Sequence, residues 1–259
     1  MINTKKNRKN LYMEMDKKDI ITKVKPLLAS GSYMLRAPDG LMVPTKRAIF
    51  WDGPWVYVKH DDINRCDLAH ELFFNHLDIV PKACRECYKI VVRPKTVEDL
   101  FNLYELQKEL DYPSKCGIEP RRTVNGHYGG YFYNRGVEEG RERYQEVRKA
   151  VDEKMIPETD VILKRYCTEF ELKFGPSNEL PEMTLEEEQM EEYIRACIEP
   201  YKHFSTQPDF LVASTFKKWL HYAYENGDET YLKFTNGERL FPKLVTYHEE
   251  EKINGKASP

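Results

Sequence analysis

The fold of this chain is decided by the stretch CYKIVVRPKTVEDLFNLYEL, residues 87–106. Residues 87–93 have the alternating pattern of a β-strand, whose side chains point to opposite faces in turn. Thr96 is suited to cap the following helix, because Asp99 comes three residues later in a capping-box-like position. Apolar residues at helical spacing continue this helix until Pro113 ends it. The stretch therefore predicts a strand followed by a helix.

The residues after Pro113 complete a known arrangement of strands and helices. Further elements are predicted as a strand at 115–121, a turn at 124–126, a strand at 128–135, a helix at 137–155 and a strand at 160–174. The order β-α-β-β-α-β is the split βαβ, or ferredoxin-like, arrangement of a four-stranded antiparallel sheet with two helices on one face. In the last strand the apolar pattern changes phase near Lys164 and Arg165, which predicts a β-bulge. We therefore predict an α+β fold with a ferredoxin-like βαββαβ core at about residues 84–174.

The flanking segments have less regular patterns. Turn tripeptides at 38–40 and 52–54 each separate two short apolar runs and predict two β-hairpins, and a helix is predicted over 62–76. Near the C-terminus, Asn236-Gly237 predicts the turn of a last hairpin over 231–247. The predicted division is a basic lead-in (1–25), a strand-rich module with a helix (26–83), the core (84–175), a linker (176–184), two helices and a β-hairpin (185–248) and a loose tail (249–259).

The composition excludes several classes of protein. The chain has 259 residues, of which 12% are aromatic and 32% charged, and its net charge is −3. Such an aromatic content excludes disorder of the whole chain, and the charge balance excludes a simple polycation. No stretch approaches the about 20 apolar residues that span a bilayer, and the N-terminus lacks the apolar middle of a signal peptide. We therefore expect a cytoplasmic protein without a membrane partner, in which the cysteines are reduced.

Four residues before the first core strand have the spacing of metal ligands. Cys66 and His70 lie one turn apart on a predicted helix, and Cys84-x2-Cys87 has the spacing of a metal-binding knuckle. Three thiolates and one imidazole complete a tetrahedral Cys3His zinc site of the structural kind, with His76 as an alternative to His70. The other interpretation is that these are separate buried cysteines. The cysteines without a partner at ligand spacing are predicted to be core residues; they are Cys116, Cys167 and Cys197.

The sheet face opposite the two helices is predicted to be free and to carry cations and aromatic rings. The predicted binding residues are Lys89, Arg93, Lys115, Arg121, Arg122, Tyr131, Tyr133 and Arg135. Rings stack on bases and cations contact phosphates, as single-stranded nucleic acids require. The segment HYGGYFY, residues 127–133, resembles the RNP1 strand of RRM domains, which implies RNA binding. RNA or another single-stranded nucleic acid is therefore the predicted partner, unless Tyr131 and Tyr133 pack under the flanking elements.

Two further functions are consistent with the sequence. His127 follows Arg121 and Arg122 in a glycine-rich turn, and a histidine with arginines is the minimum for general acid–base cleavage of RNA without a metal. This reading, a metal-independent endoribonuclease, is similar in fold and residue types to some CRISPR-type ribonucleases. Otherwise His127 is an exposed turn residue.

Residues 179–192 contain seven acidic residues and no basic one, which predicts an acidic helix. That helix, or the sheet face, is the predicted docking surface of a protein-interaction or inhibitor protein.

Overall fold

A five-stranded antiparallel sheet forms the centre of this mixed α+β protein. It is seen in a computed structural model that describes residues 17–38, 40–45, 53–61, 66, 68–199, 207–242, 245 and 247. The strands within these described residues are β1 (Tyr33–Leu35), β2 (Met42–Pro44), β3 (Trp55–Lys59), β4 (Cys87–Arg93), β5 (Ser114–Ile118), β6 (Tyr128–Arg135) and β7 (Asp160–Arg165). The order across the large sheet is β3-β5-β6-β4-β7, and β1 pairs with β2 in a separate hairpin.

The helices begin and end close to where the sequence places them in the core. The helices in the part of the chain that the structure describes are α1 (Lys17–Ala29), a π-helix (Ala69–Leu77), α2 (Lys82–Arg85), α3 (Val97–Leu110), α4 (Gly136–Lys154), α5 (Thr168–Phe174), α6 (Leu185–Ala196), α7 (Asp209–Glu225) and a 3-10 helix (Glu229–Phe234). Thr96 caps α3 as predicted, because the Asp99 amide donates to its Oγ1 at 3.1 Å. Within the described residues, no helix is long and apolar enough to span a membrane.

Three helices cover one face of the large sheet. Ile90 of β4 and Phe132 of β6, two interior strands, are fully buried against α3 and α4. The third helix is α7, whose fully buried Trp219 donates its Nε1 to the Pro54 carbonyl oxygen at 2.8 Å. Since Pro54 directly precedes β3, α7 covers the part of the sheet that this edge strand adds.

A second core joins the N-terminal elements to α6. Leu27 of α1 and Phe73 of the π-helix pack with Ile194 of α6. The Met42 amide of β2 donates to the Cys197 carbonyl oxygen at 2.9 Å, directly after α6. The two helices of the predicted 185–248 region therefore belong to different cores, α6 to the N-terminal elements and α7 to the sheet.

The predicted strand over 160–174 is wrong beyond Arg165. The chain turns there and forms α5, in which Phe170 is fully buried whereas Leu172 is 66% exposed. Tyr166 and Phe170 are four residues apart, which is the spacing of one helix face as well as an even number of strand positions. The change of apolar phase thus marks the end of a strand and not a bulge.

The predicted C-terminal hairpin is also wrong. Residues 229–234 form the 3-10 helix, and the described residues of 235–247 contain no strand. Asn236 and Gly237 do make the predicted turn, with φ of 54° and 79°, which these two residue types adopt most readily. In the second predicted N-terminal hairpin, residues 48–51 lie outside the described residues, and β3 pairs with β5.

Candidate metal centre

The sheet face opposite the helices is covered, and the prediction that it is free is wrong. Lys89, Tyr131 and Tyr133 are 5%, 7% and 6% exposed. Tyr131 and Tyr133 pack in a cluster with Cys87, Val91 and Trp55 that is separate from the helix-side core. Alternation along a strand predicts which face a side chain occupies, but it does not predict what later covers that face. We call this surface the covered face.

Most of the other predicted nucleic-acid-binding residues contact groups of the protein itself. The Lys115 ammonium lies over the rings of Trp55, Tyr57 and Tyr131, with Nζ 4.7, 5.3 and 5.7 Å from the ring centroids. Arg93 is 3.9 Å from Asp160 and Arg135 is 3.8 Å from Asp61, while Arg122 is exposed. The base-stacking surface on which the prediction of RNA binding depended is therefore buried, and RNA binding itself stays a prediction.

His127 is an exposed residue that makes contacts of its own. Its exposed ring has Nδ1 3.1 Å from the Tyr222 hydroxyl, and it lines a cavity of about 320 Å³ with Lys95 and Asp228. The Asp228 carboxylate is part of the fold's own hydrogen bonding, since it accepts hydrogen bonds from the Val97 amide and from the Tyr128 hydroxyl. The Arg121 guanidinium binds Glu119 and Glu169, and cleavage of RNA by His127 stays a prediction.

Arg121 forms an ionic network at one end of the covered face. Its guanidinium donates to Glu119 at 2.6 and 2.7 Å and to Glu169 at 2.8 Å, and the Tyr131 hydroxyl donates to Glu119 at 2.7 Å. Burial alone would raise the pKa of Glu119, but the hydrogen bonds from Arg121 and Tyr131 lower it below its ordinary value. The pKa of Glu169 is lowered in the same way by Arg121. These carboxylates are therefore held in the charged form.

Four cysteines from three segments lie near enough to one another to influence one another's ionisation. Cys66 and His70 are one helical turn apart, as predicted, because the His70 amide donates to the Cys66 carbonyl oxygen at 3.2 Å. Cys84 lies in α2 and Cys87 begins β4. The fourth is Cys167, which the sequence placed among the unpartnered core cysteines. We call Cys66, Cys84, Cys87 and Cys167 the thiol cluster.

Cys167 enters the thiol cluster through the strand pairing of β4 with β7. The Tyr166 amide donates to the Cys87 carbonyl oxygen at 2.9 Å, so the next residue along the chain lies beside the knuckle. The Lys89 ammonium is 3.0 Å from the Cys167 Sγ, and the His70 imidazole lies near enough to lower the pKa of this thiol. His76, the alternative ligand, is exposed in the last turn of the π-helix.

The members of the thiol cluster influence one another's ionisation. Burial would raise the pKa of Cys167, but the Lys89 ammonium and the His70 imidazole lower it to about 6. Burial and the neighbouring thiols of Cys167 and Cys87 raise the pKa of Cys66 to about 12. Burial also lowers the pKa of Lys115, whereas in Lys89 the effect of burial is outweighed by the Cys167 thiol, which raises the pKa. One thiolate beside a cation is therefore the favoured state of the metal-free cluster.

The donor set of the thiol cluster fits a soft metal ion. Thiolate sulfur and imidazole nitrogen are the ligands of structural zinc sites, and soft thiolates also select iron–sulfur clusters. Within the described ranges, no three His, Cys, Asp or Glu side chains lie close enough together to hold a metal ion as they stand. Zinc binding therefore requires the sulfur atoms to move closer to one another than they lie here.

Comparison with known proteins adds no identity to these observations. No protein-family model, no curated protein and no solved structure matches this chain. The class of protein is therefore defined by its own features: a mixed α+β protein whose central antiparallel sheet has three helices on one face and a cluster of thiols and lysines on the other.

Proposed function

We propose that this protein is a zinc-binding protein, with Cys66, Cys84 and Cys87 as ligands and a ferredoxin-like core as the scaffold. The observation that carries the proposal is that the four thiols of the thiol cluster and two buried lysines lie near enough to influence one another's charge. Lys89 is 5% exposed and the Lys115 ammonium lies among three aromatic rings. In the described part of the chain, neither ammonium forms an ion pair with a carboxylate.

Charge balance is the physical reason for this proposal. A cation removed from water is costly unless an anion lies close to it, so two such cations favour negative charge on the neighbouring sulfur atoms. Zinc binds cysteine as thiolate, and three or four thiolates around one Zn²⁺ leave a net negative charge. Bound zinc would therefore supply the negative charge that these lysines require, and the lysines would in turn favour zinc binding.

The strand order supports the ferredoxin-like part of the proposal. The series β7-β4-β6-β5 with helices α3 and α4 in the two crossovers is the arrangement expected of a βαββαβ core. On this view β3 and α7 are additions at one edge, where β3 extends the sheet and α7 covers it.

The role that suits such a site is structural. A site closed by four protein ligands leaves no position for a substrate, so it stabilises a fold and performs no catalysis. Here the ligands come from the segment before the π-helix and from the knuckle that begins β4. Bound zinc would therefore stabilise the packing of the N-terminal elements on the central sheet.

Metal analysis of the purified protein tests this function. We expect about one zinc ion per chain in the unaltered protein, and loss of that zinc when Cys84 and Cys87 are both changed to serine. Cys197→Ser is the matched control, because Cys197 packs in the second core, away from the thiol cluster. A folded, zinc-free protein obtained from zinc-supplemented cells would contradict the proposal.

A further inference from the structure

We infer that the cavity beside His127 binds a ribonucleotide through its phosphate, its base and its ribose hydroxyls. The volume of this cavity is about 320 Å³, at the lower end of the range of about 300–1,000 Å³ that ligand pockets have. We call it the His127 cavity. The inference goes beyond the proposed zinc site and does not depend on it.

The pairing of β4 with β6 brings two basic side chains to the His127 cavity. The last pair of this antiparallel ladder is Val92 with Gly130, and three residues further along each strand direction lie Lys95 and His127. Both of these residues line the cavity, together with residues 226–229 between α7 and the 3-10 helix. The cavity is therefore enclosed by the ends of two interior strands and by the turn that follows α7.

The fold itself uses one carboxylate of the cavity and the first amides of α3. The Asp228 carboxylate accepts four hydrogen bonds, from the Val97 amide, the Tyr128 hydroxyl and the amide and hydroxyl of Thr230. The next two amides of α3 also donate to side-chain oxygens of the protein. A ligand of this cavity is therefore bound by other groups than the amino end of α3.

Four other residues of the cavity present exposed polar groups. They are Lys95, His127, Asn226 and Glu229. The Lys95 ammonium is 4.0 Å from Glu158, which is the outer limit of an ion pair and leaves the ammonium able to bind an anion. Asn226 donates its amide nitrogen to a carbonyl oxygen of α7, so its Oδ1 is oriented as an acceptor. The cavity thus presents a cation, an imidazole ring, an amide oxygen and a carboxylate.

The His127 imidazole is a ring on which a base can stack. Its Nδ1 is 3.1 Å from the Tyr222 hydroxyl, and the two rings are tilted by 58° with centroids 6.0 Å apart. Histidine is one of the side chains on which unstacked RNA bases lie. Because Tyr222 orients the exposed ring in advance, less conformational freedom is lost when a ligand binds.

A ribonucleotide has a group for each of these side chains. Its phosphate is an anion for Lys95, its base stacks on His127, and its ribose hydroxyls donate to the Asn226 Oδ1 and the Glu229 carboxylate. Inorganic phosphate alone would lie near the carboxylates of Glu229 and Asp228 without donating to either, and a simple cation would be repelled by Lys95. The cavity therefore favours a ligand that combines an anionic group with hydroxyl donors. A free nucleotide and one unit of a single-stranded RNA share this chemistry.

Titration calorimetry of the unaltered protein with adenosine 5′-monophosphate is the primary test. We expect a Kd below about 1 mM, and binding at least about 10-fold weaker for adenosine, which lacks the phosphate, and for the 2′,3′-dideoxy nucleotide, which lacks both ribose hydroxyls. No binding of the nucleotide at about 1 mM would overturn the inference, as would equal affinity for the three compounds. L-phenylalanine, a zwitterion with a ring, is the competing ligand, and its tighter binding would also overturn the inference.

A variant of Lys95 tests the phosphate contact. Lys95→Met should weaken binding of adenosine 5′-monophosphate by about 10-fold and leave binding of adenosine unchanged, because only the nucleotide has an anion for this ammonium. Lys149→Met is the matched control, since Lys149 is 78% exposed on α4 and does not line the cavity. Equal nucleotide affinity in the two variants would contradict the role of Lys95.

Two further variants test the base and the ribose contacts. His127→Ala should weaken nucleotide binding by about 10-fold, as loss of one stacked ring does, whereas His221→Ala on α7 should not change it. Glu229→Gln should weaken binding of adenosine 5′-monophosphate but not of its 2′,3′-dideoxy analogue. Equal effects of the two histidine variants, or an equal loss for both nucleotides in Glu229→Gln, would contradict these contacts.

A short oligoadenylate RNA distinguishes the two sources of the ligand. Binding more than about 10-fold tighter than that of adenosine 5′-monophosphate, and weakened by Lys95→Met, identifies the ligand as one unit of an RNA chain. Equal affinity for the two compounds identifies the free nucleotide. A zinc-loaded protein that binds neither compound would overturn this inference and leave the proposed function standing, whereas a zinc-free protein that binds the nucleotide would do the reverse.

Discussion

Arg121 joins two carboxylates and a tyrosine into one network at the edge of the covered face. The Glu119 side chain is only 1% exposed, so its charge depends on this arginine. Removal of one partner from such a pair leaves a buried charge without compensation, which is more costly than the loss of an exposed ion pair.

We expect Arg121→Met to lower the free energy of unfolding by about 3 kcal/mol, because it leaves Glu119 buried and unpaired. Urea denaturation followed by circular dichroism measures the change. Lys149→Met is the control, since Lys149 is 78% exposed and 4.0 Å from Glu153, and this change should cost at most about 0.5 kcal/mol. Equal effects of the two changes would show that the network does not stabilise the fold.

The same network predicts how stability depends on pH. The pKa values of Glu119 and Glu169 are below their ordinary value of 4.5 in the folded state, despite burial, because Arg121 and, for Glu119, Tyr131 hydrogen-bond the charged forms. Their contribution is therefore complete above pH 4.5 and is lost as the pH falls through the lowered values. Urea unfolding measured from about pH 7 to about pH 3 should show this loss, and Arg121→Met should reduce it. An identical acid dependence in the variant would refute the assignment.

Among the elements, β3 depends on a glycine of its neighbour. A Cβ at Gly117 of β5 would collide with the Pro54 carbonyl oxygen and would lie 2.9 Å from the Trp55 Cα, both of which are backbone atoms. The same carbonyl oxygen accepts the hydrogen bond from Trp219. The close approach of β3 to β5 and the packing of α7 on the sheet therefore depend on each other.

Gly117→Ala should therefore destabilise the protein by about 1–3 kcal/mol, because the backbone before β3 has to move away from β5. Gly53→Ala is the matched control: a Cβ at Gly53 meets nothing within 4 Å and its φ is not positive. Thermal unfolding of both variants checks the difference, and hydrogen exchange should rise in β3 of Gly117→Ala only. A neutral Gly117→Ala would mean that β3 adapts without loss.

The helix α7 should stabilise the sheet through one residue in particular. Trp219→Ala removes a fully buried indole and one of the two hydrogen bonds to the Pro54 carbonyl oxygen, the other coming from the Ile118 amide, so we expect a loss of about 3–5 kcal/mol. Phe210→Ala on the same helix is the control, because Phe210 is 69% exposed and the change should be close to neutral. Denaturant unfolding of both variants decides whether α7 is part of the core.

At the scale of the whole molecule, the proposed zinc couples the N-terminal elements to the sheet. Binding to the folded state alone stabilises that state, so a chelator should lower the temperature of thermal unfolding of the zinc-loaded protein. The double variant Cys84→Ser with Cys87→Ser should unfold at a lower temperature and show no response to the chelator. Differential scanning calorimetry measures both. A zinc-loaded protein whose unfolding temperature the chelator does not change would contradict a structural role.

Interactions between neighbours in the sequence determined the order of the elements. Alternation in residues 87–93, the cap at Thr96 and the helical spacing that follows are signals within one or two turns of chain, and the strands and helices of 87–165 follow them. The spacing of Cys66 and of Cys84-x2-Cys87 likewise identified three members of the thiol cluster.

Contacts between distant segments decided which side chains come together and which sheet face is covered. Only the pairing of β4 with β7 brings Cys167 to Cys87, 80 residues earlier, and only the segments that cover the sheet bury Lys89 and Tyr131. The spacing of four residues between Tyr166 and Phe170 fits a strand and a helix equally, so this local pattern did not predict helix α5. A local pattern shows which side chains share a face of an element, but what lies against that face is settled when the whole chain buries its apolar surface.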